Sequence, residues 1–288
     1  MAQTHTHGGH HEHGHQQRDA DRDQEEILDL DADLLAEHIA AVTEWLPLES
    51  SPRQIVDLAS GTGAGTFTLL DRFPEAHVTA VDASPGHLRR LREKADARGV
   101  GDRVRTVQAD LDDATWPDLG TPDLVWASAS LHHLADPDHA LRTVRDLLAP
   151  DGLVAVVELA GLPRFLPADA PADRPGLEDR LHTAADRLHA EHVPHRGADW
   201  GPMLSAAGFT VAGELTVTVD VDGSRDAAVG RYALVVLQRI RVAVAAELAA
   251  ADLLALDRLL DTGGPHSILR RDDLALRTER TVWAARRG

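Results

Sequence analysis

The feature that most constrains the fold of this chain is a rhythm. Over residues 54–158, short apolar runs alternate with longer stretches of helical periodicity. The runs at 54–58, 78–81, 104–108, 123–127 and 153–158 have strand length and are continuously apolar rather than alternating, which predicts strands buried on both faces. Among the segments between them, 65–73, 85–98 and 136–148 space their apolar residues three and four apart, as amphipathic helices do. Strand and helix in turn predict a parallel sheet with helices on both sides.

The flanks read differently. Ile27, Leu30, Leu34, Leu35, Ile39, Val42 and Leu46 fall at helical spacing up to Pro47, so one helix is expected over 27–46. After residue 158 a Pro- and Ala-rich loop (161–175) leads into a helix over 177–192 and a short helix that stops at Gly208. A strand over 209–221 follows, then two helices within 231–260, a Gly263-Gly264-Pro265 break and a final strand over 276–285 that pairs with 209–221. Residues 1–24 carry His5, His7, His10, His11, His13 and His15 and too little apolar surface to fold alone. They read as a disordered tail, or as a loose metal-catching one, since neutral imidazole is a good ligand. No metal site is expected in the folded part.

Composition narrows the function. A net charge of −18 repels a phosphate backbone, and no basic run offsets it, so no nucleic-acid partner is expected. The absence of cysteine excludes disulfides, thiolate zinc sites and cysteine nucleophiles. No apolar stretch is long enough to span a bilayer and the start is polar, so no membrane partner and a cytoplasmic location are expected.

In open α/β sheets ligands sit at the carboxyl ends of the strands, and the informative residues fall there. The first strand runs into Asp57-Leu58-Ala59-Ser60-Gly61-Thr62-Gly63-Ala64-Gly65, where glycines allow a tight turn and close approach of a ligand. Thr66 stands where a dinucleotide fingerprint wants its third glycine. The second strand ends at Asp82, suited to a ribose diol, and the third at Asp110, with Asp112 and Asp113 beyond it. This rim of carboxylates disfavours a pyrophosphate and favours a cationic ligand without phosphate.

On these residues the chain resembles the class I S-adenosylmethionine-dependent methyltransferases that modify small molecules. Val56–Gly65 is similar to their first motif, Val81-Asp82-Ala83-Ser84 to the ribose-binding strand end, and Gln108-Ala109-Asp110-Leu111 to the adenine turn. Leu131-His132-His133-Leu134 is similar to the fourth-strand motif. The resemblance implies an α/β, Rossmann-like, seven-stranded, mostly parallel sheet with helices on both faces, an antiparallel last strand and a helical cap or insert. Its parts would be an N-terminal helix or lid (25–50), a donor-binding core (51–160), a cap segment (161–207) and a C-terminal hairpin with a helical insert (208–288). That insert is a departure, since many relatives have only a turn there.

The resemblance further implies that S-adenosylmethionine is the cofactor, with S-adenosylhomocysteine as product. Asp57, Ser60, Gly61 and Gly63, with Ala59 and Thr62 in the same loop, would hold the methionine end. Asp82 would hold the ribose and Asp110 the adenine amine, with Ala83 and Leu111 against the base. Ala127 or Ser128 would offer a carbonyl to the ammonium. The reaction would move a methyl to oxygen or nitrogen, less readily carbon, of a small organic acceptor.

His132 and His133 are the candidate bases, His133 slightly favoured, against a packing or helix-capping role. Glu158 reads either as facing the acceptor or as a solvated strand end. His182, His189, His192 and His195 read as pocket lining or surface, and Trp45, Trp200 and Tyr232 as pocket walls or core. The helices over 231–260 could carry a homodimer contact. Two other readings stand: a nicotinamide-dependent oxidoreductase, which leaves Asp110 unexplained, and a non-catalytic binding protein with a metal-binding tail.

Overall fold

The structure, a computed structural model, describes residues 24–288; the histidine-rich segment through residue 23, with its tail and metal readings, lies outside the described residues. Strands β1 (Gln54–Leu58), β2 (His77–Asp82), β3 (Val104–Gln108), β4 (Leu124–Ser128), β5 (Leu153–Leu159), β6 (Phe209–Asp222) and β7 (Ala275–Arg287) form one sheet. Their spatial order is β3-β2-β1-β4-β5-β7-β6, with β7 antiparallel to both of its neighbours. The chain order reverses between β1 and β4, which opens a crevice at the carboxyl ends of those strands.

The helices follow the amphipathic pattern. α3 (Ala64–Arg72) and α4 (Pro85–Ala97) cover one face of the sheet with α2 (Ala36–Trp45), burying Phe67, Leu69, Leu91 and Val42 against Ile55, Val78 and Leu124. The other face is covered by α5 (Pro137–Leu147) and α7 (Trp200–Ala206), whose Leu141, Val144, Trp200 and Leu204 pack on Val56, Val125 and Val154. α7 therefore belongs to the sheet rather than to the cap that its place in the sequence suggests. Ser84 and Asp136 start α4 and α5 by accepting the amide N–H groups of His87 at 3.3 Å and His139 at 2.8 Å, and each is followed by a proline at the first helical position.

The expected single helix over 27–46 is two. Residues 24–34 form α1, the chain turns at Leu35, and α2 continues. The break lets the two halves serve different cores. Leu30 and Leu34 join a second apolar cluster with α6 (Leu177–His192), α8 (Ala227–Ala243) and α9 (Ala250–Leu260), whereas Val42 faces the sheet. That second cluster also takes in Phe165, Val219 and Leu276, so the cap segment and the insert between β6 and β7 form one body above the strand ends. Buried Glu178 fixes its entrance loop by accepting the amides of Phe165 (2.7 Å) and Leu166 (3.1 Å). Among the described residues no helix is long and apolar enough to cross a membrane.

Candidate functional site

The glycine loop leaves β1 under strain. Ala59 has φ +50°, and Gly61 and Gly63 have φ +53° and +99°. Positive φ in a residue with a Cβ is uncommon and clusters at working sites; Ala129, just past the end of β4, repeats it at +51°. Gly63 is required on a second count, because a Cβ there would stand 2.7 Å from the Phe67 ring. Gly65 is tighter still: a Cβ would lie 2.6 Å from Trp126 Nε1 and 3.2 Å from Asp57 Oδ2. Gly65→Ala should therefore displace Trp126 and lower stability by about 1–3 kcal/mol, read as a shift in the chemical denaturation midpoint.

Asp57 is fully enclosed, its Oδ2 accepting from Thr66 Oγ1 at 2.6 Å. Its carboxylate thus anchors the start of α3 beneath the loop. Burial pushes its pKa up to about 7, against the Thr66 hydrogen bonds and with the Asp82 charge adding to the rise. The folded chain then keeps a proton that the unfolded chain releases near pH 3.8, so this contribution to stability is complete below that pH and is lost as pH rises to about 7. Asp57→Asn should remove a decline of about 2 kcal/mol between pH 5 and 7, measured as the difference between wild-type and variant unfolding curves at the two pH values.

Asp82 ties β2 to the loop. Its Oδ2 accepts the Gly61 amide and its Oδ1 the Ser84 amide, both at 2.8 Å, while His87 Nδ1 lies 3.2 Å from Oδ1. Burial raises its pKa, but the bonds from His87, Ser84 and Gly61 outweigh that and hold it below the ordinary carboxylate value. Ala83 and Asp110 are exposed beside it and Leu111 is buried, so Ala83 and Leu111, expected to flank the base, offer one open and one apolar side. Asp110 Oδ1 accepts the Asp112 amide at 3.0 Å, and Asp112 in turn holds the Ala135 amide at 2.8 Å. Ala127 is buried inside β4, whereas Ser128 reaches the wall of a groove of about 770 Å³ that also touches Gly65 and Arg280.

One feature was not legible in the loop's own residues. α1 lies over it, with Leu28 3.3 Å from where a Gly61 Cβ would be and Asp29 accepting from Thr62 Oγ1 at 2.6 Å. Asp29 also accepts from Lys94 Nζ, and from Arg90 at 3.3 Å. Cations do reach the loop, therefore, but from α4 and already paired with Asp29. The chemistry of the crevice fits a cationic nucleoside. Carboxylates rim it, Lys94 and Arg90 beside it are paired with Asp29, and the Ser60 hydroxyl is buried there with no partner among the described residues.

The two histidines of the fourth-strand motif fall into different surroundings. They sit on a 3-10 turn, Leu131–His133, with rings 4.1 Å apart. His132 is 1% exposed, and its Nδ1 lies 2.5 Å from Glu158 Oε2. Glu158 Oε1 accepts the amides of Ser130 (3.1 Å), Leu131 (2.8 Å) and His132 (3.3 Å). Glu158 is thus buried rather than solvated, and it holds the turn and the imidazole together from below. With Nδ1–H given to the carboxylate, the free lone pair is on Nε2, which is buried with no partner among the described residues. His133 is the more exposed of the two, yet partial desolvation, then the charges of His132 and Arg196, lower its pKa to about 4, which keeps it neutral.

Both histidines line a cavity of about 330 Å³ between α1, α6 and α8. Of the other histidines in the cap, His189 lines it, while His182 is buried without reaching it, His192 bonds the Leu188 carbonyl at 2.9 Å and His195 lies against Trp200. Tyr232 lines the cavity and gives its hydroxyl to Asp31 at 2.7 Å. Trp45 instead packs over Gly213 at the β6 bulge, and Trp200 is in the sheet core. Asp31 is also paired with Arg280 at 3.0 Å, and this pair forms a wall common to the cavity and the larger groove.

Residues 55–152 match a family profile described as "Methyltransferase domain". The demethylmenaquinone methyltransferase of Thermus thermophilus is 38% identical over 119 residues, 41% of this chain and 53% of that protein. The malonyl-[acyl-carrier protein] O-methyltransferase of Halorhodospira halophila is 38% identical over 165 residues, 57% of this chain and 54% of that protein. A trans-aconitate 2-methyltransferase of Methylobacterium radiotolerans is 42% identical over 113 residues, covering 38% and 39%. The matched region thus spans about half or less of these relatives' lengths. Among solved structures, a putative methyltransferase from Bacillus halodurans superposes with a TM-score of 0.53 at 18% identity, covering 86% of this chain and 98% of that one. Residues 55–152 thus match a methyltransferase domain, set in a Rossmann-like α/β fold with its last strands antiparallel.

Proposed function

We propose that this chain, built on that methyltransferase domain, moves a methyl group from S-adenosylmethionine to an oxygen or nitrogen of a small organic acceptor, with His132 as general base. The observation that carries the reading is the buried His132–Glu158 pair, whose Nε2, without a partner among the described residues, belongs to a residue lining a cavity bordered by Leu28, the α1 residue that covers the glycine loop. Matches to small-molecule methyltransferases support it.

The donor supplies an activated methyl on a sulfonium. Ser60, Gly61, Thr62 and Gly63 would hold its methionine end, with Asp57 and Ala59 shaping the loop and Ala127 or Ser128 giving a carbonyl. Asp82 would take a ribose hydroxyl on the Oδ2 lone pair that Gly61 leaves free, and Asp110 the adenine amine, between Ala83 and Leu111. The chain's main contribution is alignment and exclusion of water, worth up to about 7–11 kcal/mol where two reactants are held in attack geometry. α1 gives the exclusion by covering the loop with Leu28 and Asp29. His132 Nε2 takes the proton of an acceptor hydroxyl or ammonium, and Glu158 stabilises the resulting imidazolium. His132 is preferred over the exposed His133 because Glu158 fixes both its ring and its tautomer.

Isothermal titration with S-adenosylhomocysteine and with NAD, followed by a mass-detected acceptor screen of phenols, carboxylates and amines, tests the reading. Binding of the dinucleotide without binding of S-adenosylhomocysteine would overturn it.

A further inference from the structure

The cavity at His132 carries an electrostatic feature that methyl transfer by itself does not call for. Three guanidinium groups line it, Arg196, Arg239 and Arg280, in a chain whose net charge is −18. Arg280 is neutralised by Asp31. Arg196 and Arg239 pair with no carboxylate among the described residues; Arg196 Nη1 lies 3.0 Å from His189 Nδ1, and Arg239 gives a hydrogen bond to the Gln24 side-chain carbonyl. Arg196 Nε is buried with no hydrogen-bond partner among the described residues. Arg196 and Arg239 thus line one space, and burial, then the Arg239 charge, lower the Arg196 pKa. The remaining walls include Leu159, Leu162, Val236 and Ile240.

The buried Arg196 Nε is costly to leave without a partner, and the planar fork of Arg196, with the exposed Arg239 also lining the cavity, matches a carboxylate. We infer that the acceptor is an organic acid, whose carboxylate is held between Arg196 and Arg239 while its apolar body lies along Leu159, Leu162, Val236 and Ile240. This rests on the methyl-transfer reading for the role of the ligand but not for its binding. The carboxylate is an anchor rather than the methylated group. A carboxylate needs no base, and two guanidiniums would draw off its nucleophilicity, whereas His132 is placed to deprotonate a separate hydroxyl or ammonium.

The test uses the full chain without donor and 3-(4-hydroxyphenyl)propanoate, its primary amide and 2-phenylethylphosphonate as probes, with affinities from titration calorimetry. The acid should bind about tenfold or more tighter than the amide. Arg196→Gln, and separately Arg239→Gln, should remove about tenfold of the acid's affinity and leave the amide within about twofold. Retained amide binding shows that each variant is folded. Equal binding of acid and amide, no binding of the acid, a matching loss for both in the variants, or tighter binding of the phosphonate would each overturn the proposal. Because no methyl donor is present, loss of the methyl-transfer reading and loss of this one are separately visible. With donor added, a methyl ester as the product would show that the carboxylate reacts and overturn its role as anchor; a methyl ether would support it.

Discussion

His132→Asn should lower kcat by about 10²–10⁴-fold while leaving the affinity for S-adenosylhomocysteine within about twofold. Asparagine is the informative replacement because its amide N–H can still be given to Glu158 Oε2, whereas alanine would leave the buried Oε2 without its partner at a cost of about 1–3 kcal/mol. What asparagine lacks is the basic Nε2. Glu158→Gln should produce a similar loss from the other side of the pair. The substituted amide would present either an N–H to His132 Nδ1, which must then accept it and carry its proton on Nε2, or a carbonyl with weaker hold on the imidazolium. In both cases the three turn amides lose a charged acceptor. Steady-state kinetics across pH give the check. A fall confined to KM, or a comparable fall in donor affinity, would reduce both residues to packing.

Asp82→Ala should weaken S-adenosylhomocysteine binding by about 10–150-fold, the equivalent of charge-assisted hydrogen bonds contributing about 1.5–3 kcal/mol. The same substitution should lower the melting temperature by several degrees. Asp82 is the acceptor that crosslinks the glycine loop to the end of β2, and its removal strands the Gly61 and Ser84 amides. Calorimetric titration and a thermal melt separate the two effects. A variant that melts lower yet binds the ligand as wild type does would show that Asp82 only braces the loop.

Much of the fold was legible. The five parallel strands and the helices between them follow from apolar runs whose period is local, and each lies within a residue or two of its expected bounds. The expected single helix over 27–46 breaks at Leu35 because its two halves face different cores, and periodicity within one segment does not register which partner each face meets. The placement of Trp200 in the sheet core, and of Tyr232 at the cavity, was undecidable for the same reason.

At the site, the residues next to strand ends can be named from the chain alone, since topology puts those ends at one crevice. Glu158 is legible as the end of its strand, but its partners are 26 to 28 positions away, across two adjacent strands. Nothing in its neighbours indicates that it would hold three amides and His132. The cover that α1 lays over the glycine loop, and the pairing of Asp29 with Thr62 and Lys94, likewise span long separations.

Residue order alone was sufficient for the sheet, the glycine loop and the carboxylates at the strand ends, because hydrophobic period and backbone permissiveness act between near neighbours. Which histidine is enclosed beside a carboxylate, which tautomer it takes, and which arginines face the cavity unpaired emerged with the folded chain. Those are properties of contacts between distant segments, where desolvation and charge pairing are set by what the fold brings together and not by what precedes or follows a residue in the chain.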